Sequence, residues 1–243
     1  MIIAICLLIG FLAAFIGSIV GLGGGIILVP SLLLLNQISD SFGWATSNSI
    51  VAISLFVMVF TALSSSITYA KKKRIDFISG FILIIGSIPG GLFGSWLNQF
   101  IETDTFSIYF GLFMLVMFFV FFIPIHGRES SSFQKRKGFV NRTVEINNST
   151  HTYSISIVGS LVIAWFIGTL SGLFGIGGGS LMVPAMILLF RMPAHIATAT
   201  SMFMILFLSL SSSIAHISLG HVAWEYIWVL VPGVWIGGTI GAK

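Results

Sequence analysis

Charge is what this sequence has least of. Asp, Glu, Lys and Arg make up 7% of its 243 residues and 56% of the chain is apolar, whereas about 25% of an average soluble protein is charged. A water-facing surface cannot be built from that composition. Cysteine is almost missing as well: Cys6 alone excludes an intramolecular disulfide and matches none of the spacings of zinc or redox centres. Neither HEXXH nor the nucleotide-hydrolysis pattern G-x-x-x-x-G-K-[ST] occurs, so the sequence offers no catalytic residues, no metal site and no cofactor. The net charge of +4 does not indicate nucleic acid, because the basic residues lie in connections between apolar runs, where they serve membrane orientation.

What is present is a series of hydrophobic runs. The charges gather in KKKRID at 71–76, NQFIETD at 98–104 and HGRESSSFQKRKGFVNRTVEINN at 126–148, leaving apolar stretches of roughly 18 to 25 residues, the length that spans a bilayer core. The sequence therefore predicts an all-α, polytopic transmembrane helical bundle, with spans at 1–20, 46–69, 77–97, 105–125, 155–174, 197–218 and 224–242. The N-terminal run has no basic n-region and no cleavage site, and reads as a retained helix. Two shorter apolar pieces, at about 26–36 and 180–190, are expected as re-entrant or steeply tilted half-helices, because each is short for an upright crossing.

The chain repeats itself. GLGGGIILVP at 21–30 matches GIGGGSLMVP at 175–184 in six of ten positions. Farther on, Ala52, Ser54, Phe56, Phe60, Leu63 and Ser64 to Ser66 fall on Ala199, Ser201, Phe203, Phe207, Leu210 and Ser211 to Ser213, and Gly90, Gly91 and Gly94 fall on Gly237, Gly238 and Gly241. This register implies a tandem duplication: a first transmembrane repeat over 1–125, a polar basic linker over 126–152, and a second repeat over 153–243 with no counterpart of the span at 105–125, as expected of a truncation before a final helix.

The basic loops 71–76 and 126–148 are separated by two clear spans, and the loop between those spans carries Glu102 and Asp104 but no base. The positive-inside rule puts both basic loops in the cytoplasm of a multi-pass cell-membrane protein. If the short segments do not cross, the repeats are parallel; if they do, the repeats are inverted.

Two glycine runs at matched positions are where the sequence points for chemistry, since a run of glycines cannot remain a stable helix. A break at membrane depth frees backbone groups that must line a cavity or be buried in protein, and the helix that starts after it points a positive dipole end at that place. Paired broken segments in two repeats mark a transporter's substrate site. Gly21, Gly23, Gly24, Gly25, Gly175, Gly177, Gly178 and Gly179 are accordingly the expected anion-binding positions, with the hydroxyls of Ser54 and Ser201 as donors. Close helix packing is the alternative role for the same glycines. Arg191 is a candidate for anion entry, His216 reads as interfacial, and Glu225 as an N-terminal dipole partner.

The paired glycine motifs, each followed by a Ser/Thr-bearing helix and then a glycine-rich one (PGGLFG, IGGTIG), resemble the sulfite exporter TauE/SafE family, also called the 4-toluene sulfonate uptake permease family. The resemblance implies a secondary transporter of small anions such as sulfite or organosulfonates, in a lipid bilayer, coupled to protons or other ions, without an ATP-binding domain and without enzymatic activity. The sequence leaves the oligomeric state open. Two other classes of function stand beside this one: a non-transporting membrane scaffold or assembly subunit, and an intramembrane enzyme. For the enzyme, the GTLSG at 168–172 is one residue too long for a GxSG nucleophile motif.

Overall fold

The computed structural model describes residues 2–38, 44, 46–121, 139–146 and 149–243. The charged linker segment 126–138 and residues 147–148 lie outside the described residues. The described chain forms nine α-helices and one β-hairpin. The helices are α1 (Ile2–Val20), α2 (Gly25–Ile38), α3 (Ser47–Lys71), α4 (Phe77–Asn98), α5 (Thr103–Phe121), α6 (Ile157–Phe174), α7 (Gly179–Leu188), α8 (Ala194–Ser218) and α9 (Trp224–Gly241).

Five of these, α3, α4, α5, α6 and α8, are long and apolar enough to cross a membrane. The chain is a multi-pass membrane protein. α9, which the sequence predicts as a span, is not among the five; it carries Trp224, Glu225, Tyr226 and Pro232, which lower its hydropathy. The surface is inverted relative to a soluble protein. Leu112, Leu115 and Phe119 of α5 are exposed, while Ser54, Ser65, Ser95, Thr200 and Ser212 are buried. Apolar side chains facing lipid and hydroxyls facing the interior are what a bilayer solvent selects.

Two helix pairs pack backbone to backbone through glycines spaced by four. On α4, Gly86, Gly90 and Gly94 sit against the carbonyls of Leu161, Trp165 and Thr169 on α6; on α9, Gly233, Gly237 and Gly241 sit against those of Leu7, Phe11 and Phe15 on α1. A Cβ at any of these glycines would overlap a carbonyl oxygen, so helix contact at this distance requires glycine. Close packing, the alternative role weighed from the sequence for the glycine runs, is here filled by other glycines, on α4 and α9.

The same contacts fix direction. α4 runs parallel to α6, and α1 parallel to α9. Gly80 faces Phe203 and Gly91 faces Ser212, so α4 also parallels α8; Phe56 meets Trp224 and Ser65 bonds to Gly238, so α3 parallels α9. α3 and α4 are joined by the short connection 72–76 and run oppositely, hence α3 and α8 are antiparallel.

β1 (Phe139–Ile146) and β2 (Ser149–Ser156) pair antiparallel in a hairpin that leads directly into α6. The linker was expected only as polar and basic, so the hairpin is an addition to the sequence reading. Its strands sit at the same end of the bundle as the connection 72–76, because Arg142 of β1 reaches Asp76. Call this the hairpin end. At the opposite end Ser47 meets Ile101 and Thr103, and Trp44 stacks on Tyr226.

Candidate functional site

Both glycine runs interrupt helices. Residues 21–24 and 175–178 are non-helical, and α2 and α7 begin at Gly25 and Gly179. Gly21, Gly23 and Gly24 have φ of 81°, 81° and 91°; Gly175, Gly177 and Gly178 have 70°, 78° and 71°. Three left-handed residues in five are reachable at low cost only by glycine. The consequence is a reversal of the chain. α1 runs toward the hairpin end, and α2 must return to the opposite end where α3 begins; α6 runs away from the hairpin end, and α7 returns to it.

The runs lie against each other across the bundle. A Cβ on Gly25 would stand 2.5 Å from the Gly175 carbonyl oxygen, and one on Gly179 would overlap that of Gly21. Two hydroxyls tie the runs reciprocally. Ser54 Oγ of α3 donates to the Gly175 carbonyl at 2.7 Å, and Ser201 Oγ of α8 lies 2.9 Å from the Gly21 carbonyl and 2.8 Å from that of Thr198. Both serines are fully buried. Each hydroxyl has one proton, so Ser54 can donate to another oxyanion only by releasing Gly175.

Between the runs stand two apolar side chains. Met58 and Ile205 both touch Gly23 and Gly177. An adjoining crevice lined by Ala13, Ala14, Gly23 to Gly25, Ser54 and Met58 is too tight to hold a water molecule. The arrangement is therefore a closed one: two helix N-termini approach each other, with two carbonyls satisfied by hydroxyls and sulfur and methyl groups in the gap. Pro30 and Pro184, inside α2 and α7, cannot donate to the carbonyls of Ile26 and Ser180, which leaves additional backbone acceptors one turn from each break.

The structure thus brings together Gly21, Gly23, Gly25, Ser54, Gly175, Gly177, Gly179 and Ser201. Gly24 packs instead on the Ala13 carbonyl, and Gly178 on Leu208 and Ile167. Arg191, exposed at φ 54° in the turn after α7, is not brought against the glycine runs. Other members of the hydroxyl band are engaged elsewhere: Ser64 donates to Thr61 and Ser211 to Leu208 within their own helices, and Ser65 to Gly238 of α9. His216 is fully buried near the C-terminal end of α8, with its Nδ1 3.2 Å from Nδ1 of His221. Glu225 does lie in the first turn of α9.

Sequence reading missed the polar tether at the hairpin end. The Asp76 carboxylate, fully buried, accepts from Arg142 Nη2 at 2.8 Å, from Tyr153 Oη at 2.6 Å and from Ser79 Oγ. Its backbone N–H donates to Thr200 Oγ1 on α8. Burial works to raise the Asp76 pKa, but the hydrogen bonds from Arg142, Ser79 and Tyr153 and the guanidinium charge outweigh it and hold the carboxyl below its ordinary value. Burial, and then the neighbouring carboxylate, push the Tyr153 phenol up. The available signal was a single acid in a run of bases, one residue before an apolar helix.

The family model described as "Sulfite exporter TauE/SafE" matches residues 6–243. The chain belongs to the TauE/SafE family. It is 41% identical over 238 residues to a probable membrane transporter protein, YunE, of Bacillus subtilis strain 168, covering 98% of this chain and 86% of that one. It is 25% identical over 248 residues to a second protein of that organism, the probable membrane transporter YdhB, covering 100% and 89%. A probable membrane transporter of the archaeon Methanocaldococcus jannaschii, MJ0441, is 24% identical over 220 residues, covering 90% and 73%. No solved structure matches the chain. TauE/SafE membership and these relatives identify a membrane transporter and not an enzyme.

Proposed function

We propose that this TauE/SafE protein is a secondary permease of small anions, sulfite, organosulfonates or related sulfur oxyanions, working by alternating access around its two glycine breaks. The observation that carries the reading is the reciprocal pair of bonds, Ser54 to Gly175 and Ser201 to Gly21. Residues at matching positions of two helices that run in opposite directions each hold the break in the other half. That relationship supports reading the chain as an inverted duplication, with halves 1–125 and 153–243 about the linker 126–152. An inverted pair can exchange the roles of its halves and so open to either side in turn.

The N-termini of α2 and α7 supply partial positive charge at the meeting point. Opening would withdraw Met58 and Ile205, release the Ser54 and Ser201 protons from their carbonyls and turn them to an oxyanion, without a buried cation. Gly21, Gly23, Gly24, Gly25, Gly175, Gly177, Gly178 and Gly179 supply the backbone of this site, and Arg191 draws anions to the hairpin end. The family name supports the sulfur oxyanion. The basic connection 71–74 and the hairpin share one end of the bundle, which supports a cytoplasmic position for both in the cell membrane.

A thermal-shift screen of purified protein tests the reading. Sulfite, sulfoacetate, taurine, thiosulfate, sulfate and simple carboxylates are compared; stabilisation by at least one sulfur oxyanion and loss of that shift in Ser54→Ala are expected. No shift across the panel favours a non-transporting scaffold.

A further inference from the structure

Six buried polar atoms near the end opposite the hairpin have no protein hydrogen-bond partner: the hydroxyls of Ser95, Ser171, Ser212 and Ser213, Oδ1 of Asn98, and Nε2 of His216. They come from three helices that meet. Gly172 packs on the Gly91 carbonyl and the Ser95 amide, Gly91 faces Ser212 Oγ, and the His216 ring lies against the Gly172 backbone. Ser212 and Ser213 precede His216 by four and three residues on α8, which places all three on one face. The cluster reaches the second glycine run, because a Cβ on Gly178 would lie 3.5 Å from Cβ of Ser171.

Leaving a buried polar group unpaired is destabilising, so six together need a reason. The matching positions near the hairpin end share the feature only in part: Ser66, the counterpart of Ser213, is likewise unpaired, but Ser65 donates to Gly238, and Tyr69, which stands in the register position of His216, donates to Ser18. His216 also has a route outward. Its Nδ1 is 3.2 Å from Nδ1 of His221, half-buried in the loop between α8 and α9. One of those nitrogens must hold the proton for the other to accept.

No other ionisable side chain competes for this place. α4, α6 and α7 carry none, and the rest of α8 has only His195, at the far end of that helix. On α3 the ionisable groups, Tyr69 and Lys71, stand at the hairpin end, and α1 has only Cys6. Glu102 and Asp104, in the connection to α5 and its first turn, and Glu225 of α9 are solvent-exposed. His221 is the titratable group facing His216 among the described residues.

We propose that His216, with His221 and the serine cluster, is a proton site that couples anion passage to proton movement. The step is a reversible loading. A proton arrives on the outer nitrogen of His221, the shared proton crosses to His216 Nδ1, and His216 holds the charge as an imidazolium among the serine hydroxyls. On release the proton returns along the same path, each ring regains its starting neutral tautomer, and only N–H bonds form or break. A proton requires no cavity, which suits a closely packed cluster of groups that both donate and accept. An imidazolium at membrane depth is costly alone, and an anion at the neighbouring glycine runs offsets that cost, so each ligand favours binding of the other.

The inference rests on the anion-permease reading, and two measurements separate the two. Full-length protein in proteoliposomes with an internal pH dye is given an alkyl sulfonate, which stays ionised at every working pH, and protons moved per sulfonate are counted. The wild type should carry protons with sulfonate, and His216→Gln and His221→Gln should move none per sulfonate that still crosses. An unchanged ratio in both variants overturns the proton site; absence of any sulfonate flux in the wild type overturns the permease reading instead. Independently of flux, 15N-histidine NMR of the wild type should show one proton shared between His216 and His221, lost in His221→Gln, a loop variant chosen in case His216→Gln fails to fold. Two rings titrating independently overturn the proton site whatever the flux.

Discussion

Ser54 Oγ donates to the carbonyl of Gly175 at 2.7 Å, across 121 positions of sequence. Ser201 makes the reciprocal contact with Gly21. Each bond pins a helix break whose backbone no longer satisfies itself. A buried hydrogen bond of this kind contributes about 1 kcal/mol net, and removing the donor leaves a buried carbonyl unpaired at about 1–3 kcal/mol. Ser54→Ala and Ser201→Ala should each lower thermal stability in detergent by that amount, measured by tryptophan fluorescence melting. Ser54→Thr, which keeps the hydroxyl, should lose less.

Close contact, not flexibility alone, makes Gly25 and Gly179 irreplaceable. Gly25→Ala places a Cβ 2.5 Å from the Gly175 oxygen, and Gly179→Ala overlaps that of Gly21. Overpacking of this kind costs about 1–3 kcal/mol or more. Gly111, on α5, has nothing within 4 Å of an added Cβ. Gly111→Ala should keep or slightly raise the melting temperature, since alanine is the better helix former.

The Asp76 tether gives a pH dependence with a definite sign. The folded-state pKa of Asp76 is depressed, so its contribution is present above the ordinary carboxylate pKa of about 4 and is lost as pH falls through the folded value. Hydrogen exchange of the hairpin, read at residues 139–156, should be slow at neutral pH and rise under acid. Asp76→Asn should bring the fast exchange to pH 7, through loss of charge-assisted bonds worth about 1.5–3 kcal/mol each before the half-exposed Arg142 is resolvated.

Met58 and Ile205 fill the gap between the runs, which makes them the closed state's packing. Met58→Ala and Ile205→Ala should each destabilise by about 2–5 kcal/mol. Anion flux through either variant that still folds should rise relative to its stability, because the closed state loses more than the open one.

Much of this fold was legible from composition and period. The helices α3, α4, α5, α6 and α8 follow from long apolar runs between charged loops, and both breaks follow from GLGGG and GIGGG. Helix direction was not, since it depends on which side α2 and α7 return to, and that is decided by Gly25 meeting Gly175 and Gly179 meeting Gly21. The hairpin escaped because its alternation, as in FVNRTVEI, sits in a stretch whose charge dominated the reading. His216 read as interfacial because Gly220 and His221 mark a turn, and its packing against Gly172, 44 positions earlier, has no local signal. Asp76 read as one more loop charge, since nothing local announces that Arg142 and Tyr153 fold back over it.

The central claim is that the two glycine runs form the anion path. Sulfonate flux into proteoliposomes, compared between the wild type and Gly23→Leu and Gly177→Leu variants shown to be folded by their melting transitions, tests it most directly, because these two glycines face Met58 and Ile205 between the runs. Flux in the wild type that is lost in both variants is the predicted result; undiminished flux through folded Gly23→Leu and Gly177→Leu contradicts it.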